Sequence, residues 1–223
     1  MNTTLPSWVF ISLCFFTYFT VSYIYKHFRI LKIDQAILLP HGLKKLNLKH
    51  IIGVVVFGLV NILIFPDMYF LINKLSIPDV KILTSLIVIC LLCAFLSRKA
   101  FNNLNYQSFT GLHASGNDMI GYLVLRLVFL WAYEFFFRGV IFYGFLNMVN
   151  LWLAIVFTTI LYMFIHLFDS KQEIFGAIPL GIVLCLFTYY TGSIWYAFII
   201  HSTLSMTYEI SFFKKEIIKT EQS

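Results

Sequence analysis

The sequence predicts an all-α fold, a polytopic transmembrane helical bundle with about seven spanning helices. The chain is 60% hydrophobic and 19% aromatic, only 12% of its 223 residues are charged, and its mean hydropathy is +0.86. Apolar runs of roughly 20 residues, the length that crosses a bilayer, recur along it. Because the connections between these runs are short, we expect residues 1–223 to form a single membrane-embedded domain.

The apolar runs predict helices over residues 8–25, 51–73, 80–97, 118–148, 152–168, 174–190 and 193–213. The first run follows no basic segment and precedes no small-residue cleavage site, so we expect it to remain as a membrane helix. The fourth run is longer than a perpendicular helix requires, which predicts a tilt or a kink. The polar segment 101–117 predicts a loop or an interfacial helix.

Basic residues predict the orientation in the membrane. The connection between the first two helices carries six of them: Lys26, Arg29, Lys32, Lys44, Lys45 and Lys49. By the positive-inside rule this connection is cytoplasmic, so the N-terminus is expected outside and the C-terminus inside. The compact size and very short loops favour a bacterial plasma membrane. The basic residues flank apolar segments instead of forming a stripe on a soluble surface. We therefore expect the lipid bilayer, and no nucleic acid, as a partner.

Ionisable side chains at membrane depth are costly and mark candidate functional sites. Glu134 and Arg138 are four residues apart in the fourth run, so their side chains meet on one face. His166 lies in the fifth run and His201 in the seventh. A structural ion pair and packing histidines would explain each feature alone, but their coincidence favours one shared site.

Arg126 lies two helical turns before Tyr133, on nearly the same face. The fourth helix therefore carries a polar stripe, which predicts a water-accessible cavity.

An acid and two imidazoles are suited to hydrolysis. A carboxylate and a neutral imidazole can take a proton from water and return it to a leaving amine, while a second imidazole stabilises the oxyanion. We expect Glu134 and His166 to activate the water, without a covalent intermediate. With His201 they are also the right ligand types for zinc. No helix holds two of them, however, and Arg138 would lie beside the cation, so we expect a metal-free site without a cofactor.

Three motifs occur in order: Glu134-Phe-Phe-Phe-Arg138, Tyr162-x-x-x-His166 and His201-x-x-x-Ser205. They resemble those of the CAAX prenyl protease and bacteriocin-processing family, also called the ABI or CPBP family, whose members show E-E-x-x-x-R, F-x-x-x-H and H-x-x-x-N or D in a membrane bundle. The resemblance covers residues 117–208. It implies an intramembrane glutamic-type endopeptidase that cleaves a membrane-associated or lipid-anchored peptide. The implied catalytic residues are Glu134, Arg138, His166, His201 and Ser205.

In this resemblance, Arg138 holds Glu134 in place, and Ser205 helps His201 to stabilise the oxyanion. Ser205 stands where the family has Asn or Asp.

Tyr133 stands where the family has the first Glu of its pair. With an ordinary pKa of about 10, a tyrosine is not a base near neutral pH. Rotation or a kink of the helix would turn Glu134 toward the cavity instead. Glu173 is another source of a carboxylate, or an ordinary helix-start acid next to Lys171, favoured by the helix dipole.

Tyr133 also favours a second hypothesis, a non-catalytic membrane scaffold or bacteriocin-immunity protein that binds a peptide or protein partner. A transporter is less favoured because the chain shows no paired halves.

Overall fold

The computed structural model describes residues 5–74, 78–103 and 116–220, and all regular structure within them is helical. We number the helices α1 (Leu5–His27), α2 (Ile33–Ala36), α3 (Gly42–Ile64), α4 (Phe70–Asn73), α5 (Val80–Asn102), α6 (Gly116–Glu134, continued by Phe135–Ile141 and Phe142–Leu146), α7 (Leu151–Ile165), α8 (Lys171–Thr191) and α9 (Trp195–Thr220). The predicted all-α class is confirmed. The predicted polar segment 101–117 lies outside the described residues except at its ends, where α5 extends to Asn102 and α6 begins at Gly116.

Among the described residues, five helices are long and apolar enough to cross a bilayer: α1, α3, α5, α6 and α8. The chain is therefore a multi-pass membrane protein. Helix α7 has 15 residues, which at 1.5 Å per residue is about 22 Å, shorter than the roughly 30 Å hydrocarbon core. Helix α9 is long but less apolar, so the number of seven spans stays a prediction.

The second membrane helix differs most from its prediction. It was expected at 51–73, but α3 begins at Gly42 and ends at Ile64. It ends there because Phe65 leaves the helical region, with φ −119° and ψ 62°, and Pro66 has no amide hydrogen to donate. The early start follows from Leu43 and Leu46, which are buried in an apolar cluster although charged residues flank them.

Helix α6 is the centre of the bundle. It packs against α3 and α9, while α5 lies along α9 and α7 lies along α8. Helices α3 and α6 approach closely at a glycine: a Cβ atom at Gly53 would lie 2.3 Å from the ring of Phe129. Further along, the rings of Phe57 and Phe136 stack with centroids 4.5 Å apart. Every residue from Phe129 to Phe142 is buried except Trp131, so this stretch of α6 is enclosed by protein.

Two π-helical segments face each other in the bundle, Val54–Leu59 in α3 and Phe135–Ile141 in α6. A π-helical turn is wider than an α-helical turn and shifts the direction of the residues beyond it. In α3, the side-chain amide of Asn61 donates to the carbonyl oxygen of Val56 at 2.7 Å, which satisfies an acceptor in this irregular stretch. In α6 the π-helical segment begins directly after Glu134.

Candidate active site

A cavity of about 660 Å³ opens within the bundle. It lies at the end where α1, α5, α7 and α9 end and where α3, α6 and α8 begin. Side chains of α5 and α8 supply much of an apolar wall, including Leu92 and Val183, and most of the polar side chains come from α3, α6, α9 and the residues that follow α7. Arg126 and Tyr133, the polar stripe of α6, both line it.

His166 follows the last residue of α7 and lines the cavity. Its Nδ1 lies 2.8 Å from Oδ2 of Asp169. An ionised carboxylate only accepts hydrogen bonds, so Nδ1 carries the proton and Nε2 holds the lone pair of the neutral ring. The phenol of Tyr133 donates to this Nε2 at 3.4 Å, near the long limit of a hydrogen bond.

Asp169 is well placed to keep its charge. Burial alone would raise its pKa, but the hydrogen bond from His166 and the charges of His166, Lys49 and Lys32 hold the pKa of Asp169 below its ordinary value. The carboxylate therefore orients the imidazole and stabilises it when it takes up a proton.

His201 on α9 also lines the cavity. Its Nδ1 donates to Oε1 of Glu134 at 2.5 Å, and Oε2 of Glu134 lies 3.2 Å from Nε of Arg138. Glu134 and Arg138 are both fully buried. The guanidinium carbon of Arg138 lies 4.2 Å from the ring centroid of Tyr162, a cation–π contact. The three polar groups thus form a buried chain from Arg138 through Glu134 to His201.

Helix α7 is short and ends at the cavity. Its 15 residues span about 22 Å before His166 caps the helix. The side chain of His166 is partly exposed, and its Nε2 lies 3.4 Å from the phenol oxygen of Tyr133.

The structure brings Glu134, Arg138 and His201 into direct contact, and it places His166 on the same cavity. Glu134, however, is not part of the cavity wall. Both of its carboxylate oxygens face protein partners, and the residue that faces the cavity beside His166 is Tyr133. The expected activation of water by Glu134 together with His166 does not follow from this placement. Glu134 instead orients His201.

Ser205 lines the cavity but belongs to another hydrogen-bond network. Its hydroxyl donates to Oε1 of Glu209 at 3.1 Å and accepts from Nη2 of Arg126 at 3.2 Å. Nε of Arg126 lies 3.0 Å from the same Glu209 oxygen, and its Nη1 lies 3.3 Å from Nε2 of His50. Ser205 therefore helps to hold the Arg126 and Glu209 ion pair, and its described side-chain hydrogen bonds go to these two residues and not to His201.

Glu173 lies at the mouth of the cavity, near the start of α8. Its backbone amide donates to the hydroxyl of Ser170, and its carboxylate accepts from the same hydroxyl at 2.9 Å and pairs with Lys32. Glu173 therefore caps the start of α8 together with Ser170, as expected for a helix-start acid. Its described hydrogen bonds do not involve either histidine.

Zinc ligation was considered from the residue types. Among the residues that the structure describes, no group of three or more His, Cys, Asp or Glu side chains could hold a metal ion. Both oxygens of Glu134 already face protein partners, Arg138 and His201.

Sequence reasoning did not assign Asp169, Glu209 or Lys49 to the cavity, although all three line it. Asp169 follows His166 by three residues, and Glu209 continues the four-residue spacing of His201 and Ser205 along α9. These spacings are the signals that could have indicated the first two. Lys49 was assigned to a cytoplasmic connection from its charge, and only the early start of α3 places it in the bundle.

A comparison with protein families confirms the resemblance found in the sequence. Residues 116–207 match the family described as Type II CAAX prenyl endopeptidase Rce1-like. The match covers less than half of the chain, and it contains α6, α7, α8 and the part of α9 that lines the cavity. No curated protein and no solved structure matches the chain significantly.

Proposed function

We propose that this membrane protein, whose residues 116–207 match an Rce1-like endopeptidase family, hydrolyses a peptide bond near the membrane-associated end of a peptide substrate. One observation supports this most directly. His166 and His201 line a single cavity, and each has its Nδ1 fixed by a carboxylate. In each neutral ring the other nitrogen, Nε2, is thereby available for proton transfer.

In the proposed mechanism His166 acts as the general base. Its Nε2 takes a proton from a water molecule whose oxygen attacks the scissile carbonyl carbon, and Asp169 stabilises the resulting imidazolium. The tetrahedral oxyanion accepts a hydrogen bond from the phenol of Tyr133. His166 then returns its proton to the amide nitrogen, the C–N bond breaks, and a carboxylate and a free amine leave. His201, oriented by Glu134, faces the same scissile carbonyl group.

This mechanism gives Tyr133 a role that fits its chemistry. A phenol is a poor base but a good hydrogen-bond donor, so it suits the oxyanion and not the attacking water. His166, hydrogen-bonded to the carboxylate of Asp169, acts as the base instead. Glu134 and Arg138 remain necessary as positioning residues, because the carboxylate of Glu134, paired with Arg138, accepts the hydrogen bond that orients His201.

We further propose that the cavity opens toward the cytoplasm. The cavity mouth lies at the end of the bundle that carries Lys32, Lys44 and Lys171, which the positive-inside rule places in the cytoplasm. A lipid-anchored peptide reaches the cavity from this leaflet.

The test uses the full-length protein in proteoliposomes and a prenylated peptide that ends in Cys-aliphatic-aliphatic-X, the class named in the family description. In water enriched in ¹⁸O, mass spectrometry should find one ¹⁸O atom in the new carboxylate. The variants His166→Gln and His201→Gln should lose cleavage. Cleavage by His166→Gln at the unmodified rate would overturn the assignment.

A second candidate function, peptide binding without hydrolysis, is favoured by one observation. The carboxylate of Glu134 is fully buried and both of its oxygens are engaged. Glu134 matches the second Glu of the family pair, and with Tyr133 at the first position no carboxylate of this pair reaches the cavity. A non-catalytic binder would release no product from the peptide. Its His166→Gln variant would also complement a deletion strain as well as the unmodified protein does.

A further inference from the structure

Helices α6 and α9 run antiparallel and are joined by polar contacts at two levels. At one level, Nδ1 of His201 donates to Oε1 of Glu134 at 2.5 Å. Nearer the cavity mouth, Nε of Arg126 lies 3.0 Å from Oε1 of Glu209. Arg126 precedes Glu134 by eight residues, and Glu209 follows His201 by eight residues. The two contacts therefore lie about 12 Å apart along both helices and belong to one register.

The two contacts have opposite polarity. At one level α6 supplies the cation and α9 the acid, whereas at the other α6 supplies the acid and α9 the imidazole. If α9 were displaced by one turn, Ala197 or Ser205 would lie opposite Glu134, and Glu209 would no longer lie opposite Arg126. Glu134 is fully buried and Glu209 is only 6% exposed, so carboxylates without partners at these positions are unfavourable. The paired charges therefore favour one register of the two helices.

Arg126 is anchored to α3 as well as to α9. Its Nη2 donates to the hydroxyl of Ser205 at 3.2 Å, and its Nη1 lies 3.3 Å from Nε2 of His50. Its guanidinium carbon lies 5.4 Å from the ring centroid of Phe129. Because a guanidinium is planar and its donors have fixed directions, these contacts fix the direction from which it binds the carboxylate of Glu209.

The orientation of His201 depends on this register. Its hydrogen-bond acceptor, Glu134, belongs to a different helix and is itself paired with Arg138 through Oε2. Glu134 is therefore held in place and does not follow a displacement of α9. Such a displacement lengthens the bond from Nδ1 of His201 and leaves the ring free to turn.

We propose that Arg126 and Glu209 are positioning residues, which set the register of α9 against α6 and thereby keep His201 oriented on Glu134. The proposal rests on the function proposed above for His201. In this role neither Arg126 nor Glu209 contacts the substrate. Their loss acts on the rate through the geometry of the imidazole, where a misplacement of about 1 Å can cost on the order of 10²-fold.

The kinetic test uses the full-length protein in proteoliposomes with the prenylated peptide. Arg126→Gln and Glu209→Gln should each lower kcat roughly 10- to 100-fold and change KM by less than about threefold, because substrate binding is not altered. Exchanging the two charges, by Arg126→Glu together with Glu209→Arg, should recover at least part of kcat.

A second readout does not require turnover. In protein labelled with ¹⁵N-histidine, solid-state NMR distinguishes which ring nitrogen carries the proton, and the signals lost in His201→Gln identify His201. The unmodified protein should show His201 protonated at Nδ1, whereas Arg126→Gln and Glu209→Gln should show a mixture of both tautomers. Glu173→Gln is the control, because it removes a carboxylate from another ion pair of the cavity wall, and it should leave the His201 signals unchanged.

A variant without either charge allows for the case in which the single variants do not fold. Arg126→Met combined with Glu209→Leu leaves neither residue as an unpaired charge, so it should fold, as thermal unfolding will show. Its His201 signals should nevertheless show both tautomers, because apolar side chains do not direct α9 as the paired charges do.

Unchanged His201 signals in this double variant would overturn the proposal, because packing alone would then set the register. A raised KM with kcat unchanged in Glu209→Gln would also overturn it, because the pair would then act on substrate binding. If the His201 signals respond as expected but the unmodified protein cleaves no peptide, the role in orienting His201 stands and the hydrolytic function fails.

Discussion

The imidazole of His201 donates from Nδ1 to the carboxylate of Glu134 across the interface of α9 and α6, at 2.5 Å. The same carboxylate pairs with Arg138, so one buried acid connects a cation of its own helix with a cavity histidine of another. This arrangement makes Glu134 a residue whose loss affects both the fold and the site.

Removal of Glu134 should be strongly destabilising. Glu134→Ala leaves the buried guanidinium of Arg138 without its counter-charge, which costs about 3–5 kcal/mol. Glu134→Gln should cost less, because its amide oxygen still accepts from His201. Chemical or thermal unfolding of the purified protein in detergent measures both. Combining Glu134→Leu with Arg138→Met should recover part of the loss, and a double variant less stable than Glu134→Ala would refute the buried pair.

Substitution of His166 should abolish catalysis with little effect on folding. A general base contributes roughly 10²- to 10⁴-fold, so His166→Gln should lower kcat/KM by that order. Asp169→Asn should lower it less, because the ring remains although its imidazolium loses a charged partner. Initial rates with the prenylated peptide give both numbers. Rates for Asp169→Asn that match those of the unmodified protein would show that the ring needs no carboxylate.

Tyr133 should matter through its hydroxyl group. Tyr133→Phe keeps the ring packed between α3 and α7 but removes the proposed oxyanion donor, so kcat should fall on the order of 10²-fold while KM changes little. Tyr23→Phe is the control, because Tyr23 is an exposed tyrosine of α1. A higher kcat for Tyr133→Phe would mean that the phenol blocks His166 instead of assisting the reaction.

The stability of the protein should depend on the ionisation of Asp169 in acid. Its pKa is lowered by folding, so its contribution is present above the unfolded value of about 3.9 and is lost as the pH falls through the lower folded value. The difference in Tm between the unmodified protein and Asp169→Asn should shrink as the pH falls below about 4. A difference that grows as the pH falls below about 4 would contradict this sign.

Gly42 should not accept a side chain. It is the first residue of α3, and a Cβ atom there would lie 2.1 Å from the carbonyl oxygen of Ala36, which is backbone and cannot move aside. Gly42→Ala should therefore destabilise the protein by about 1–3 kcal/mol or more. Gly121→Ala on α6 is the matched control, since nothing lies within 4 Å of its Cβ position. It should be neutral or stabilising by up to about 1 kcal/mol.

The class of fold followed from the sequence because membrane helices are long apolar runs, and their signal is local. Each of the seven predicted runs contains a helix, although the second run also includes a helix break and the helix of the fifth run is short. The second was misplaced because a charged start, with Lys44, Lys45 and Lys49, resembles a loop. Only the burial of Leu43 and Leu46 against other helices shows that these residues are helical.

Some residues of the candidate site were predictable from the sequence, but their arrangement was not. The spacing of Glu134 and Arg138 indicated their pairing, since four residues in a helix return to the same face. The sequence could not show which of the neighbours Tyr133 and Glu134 faces the cavity. That depends on the packing of α6 against α3 and α9 and on the π-helical segment that begins after Glu134.

The sequence by itself determined that this is a helical membrane protein with an acid, an arginine and two histidines in its apolar segments, because hydropathy and helical spacing are properties of short segments. The tertiary structure alone decided that Glu134 lies behind the cavity wall, that Asp169 orients His166 and that Lys49 lines the cavity. These relationships join residues of different helices or depend on where a helix ends, and packing across the whole bundle determines them.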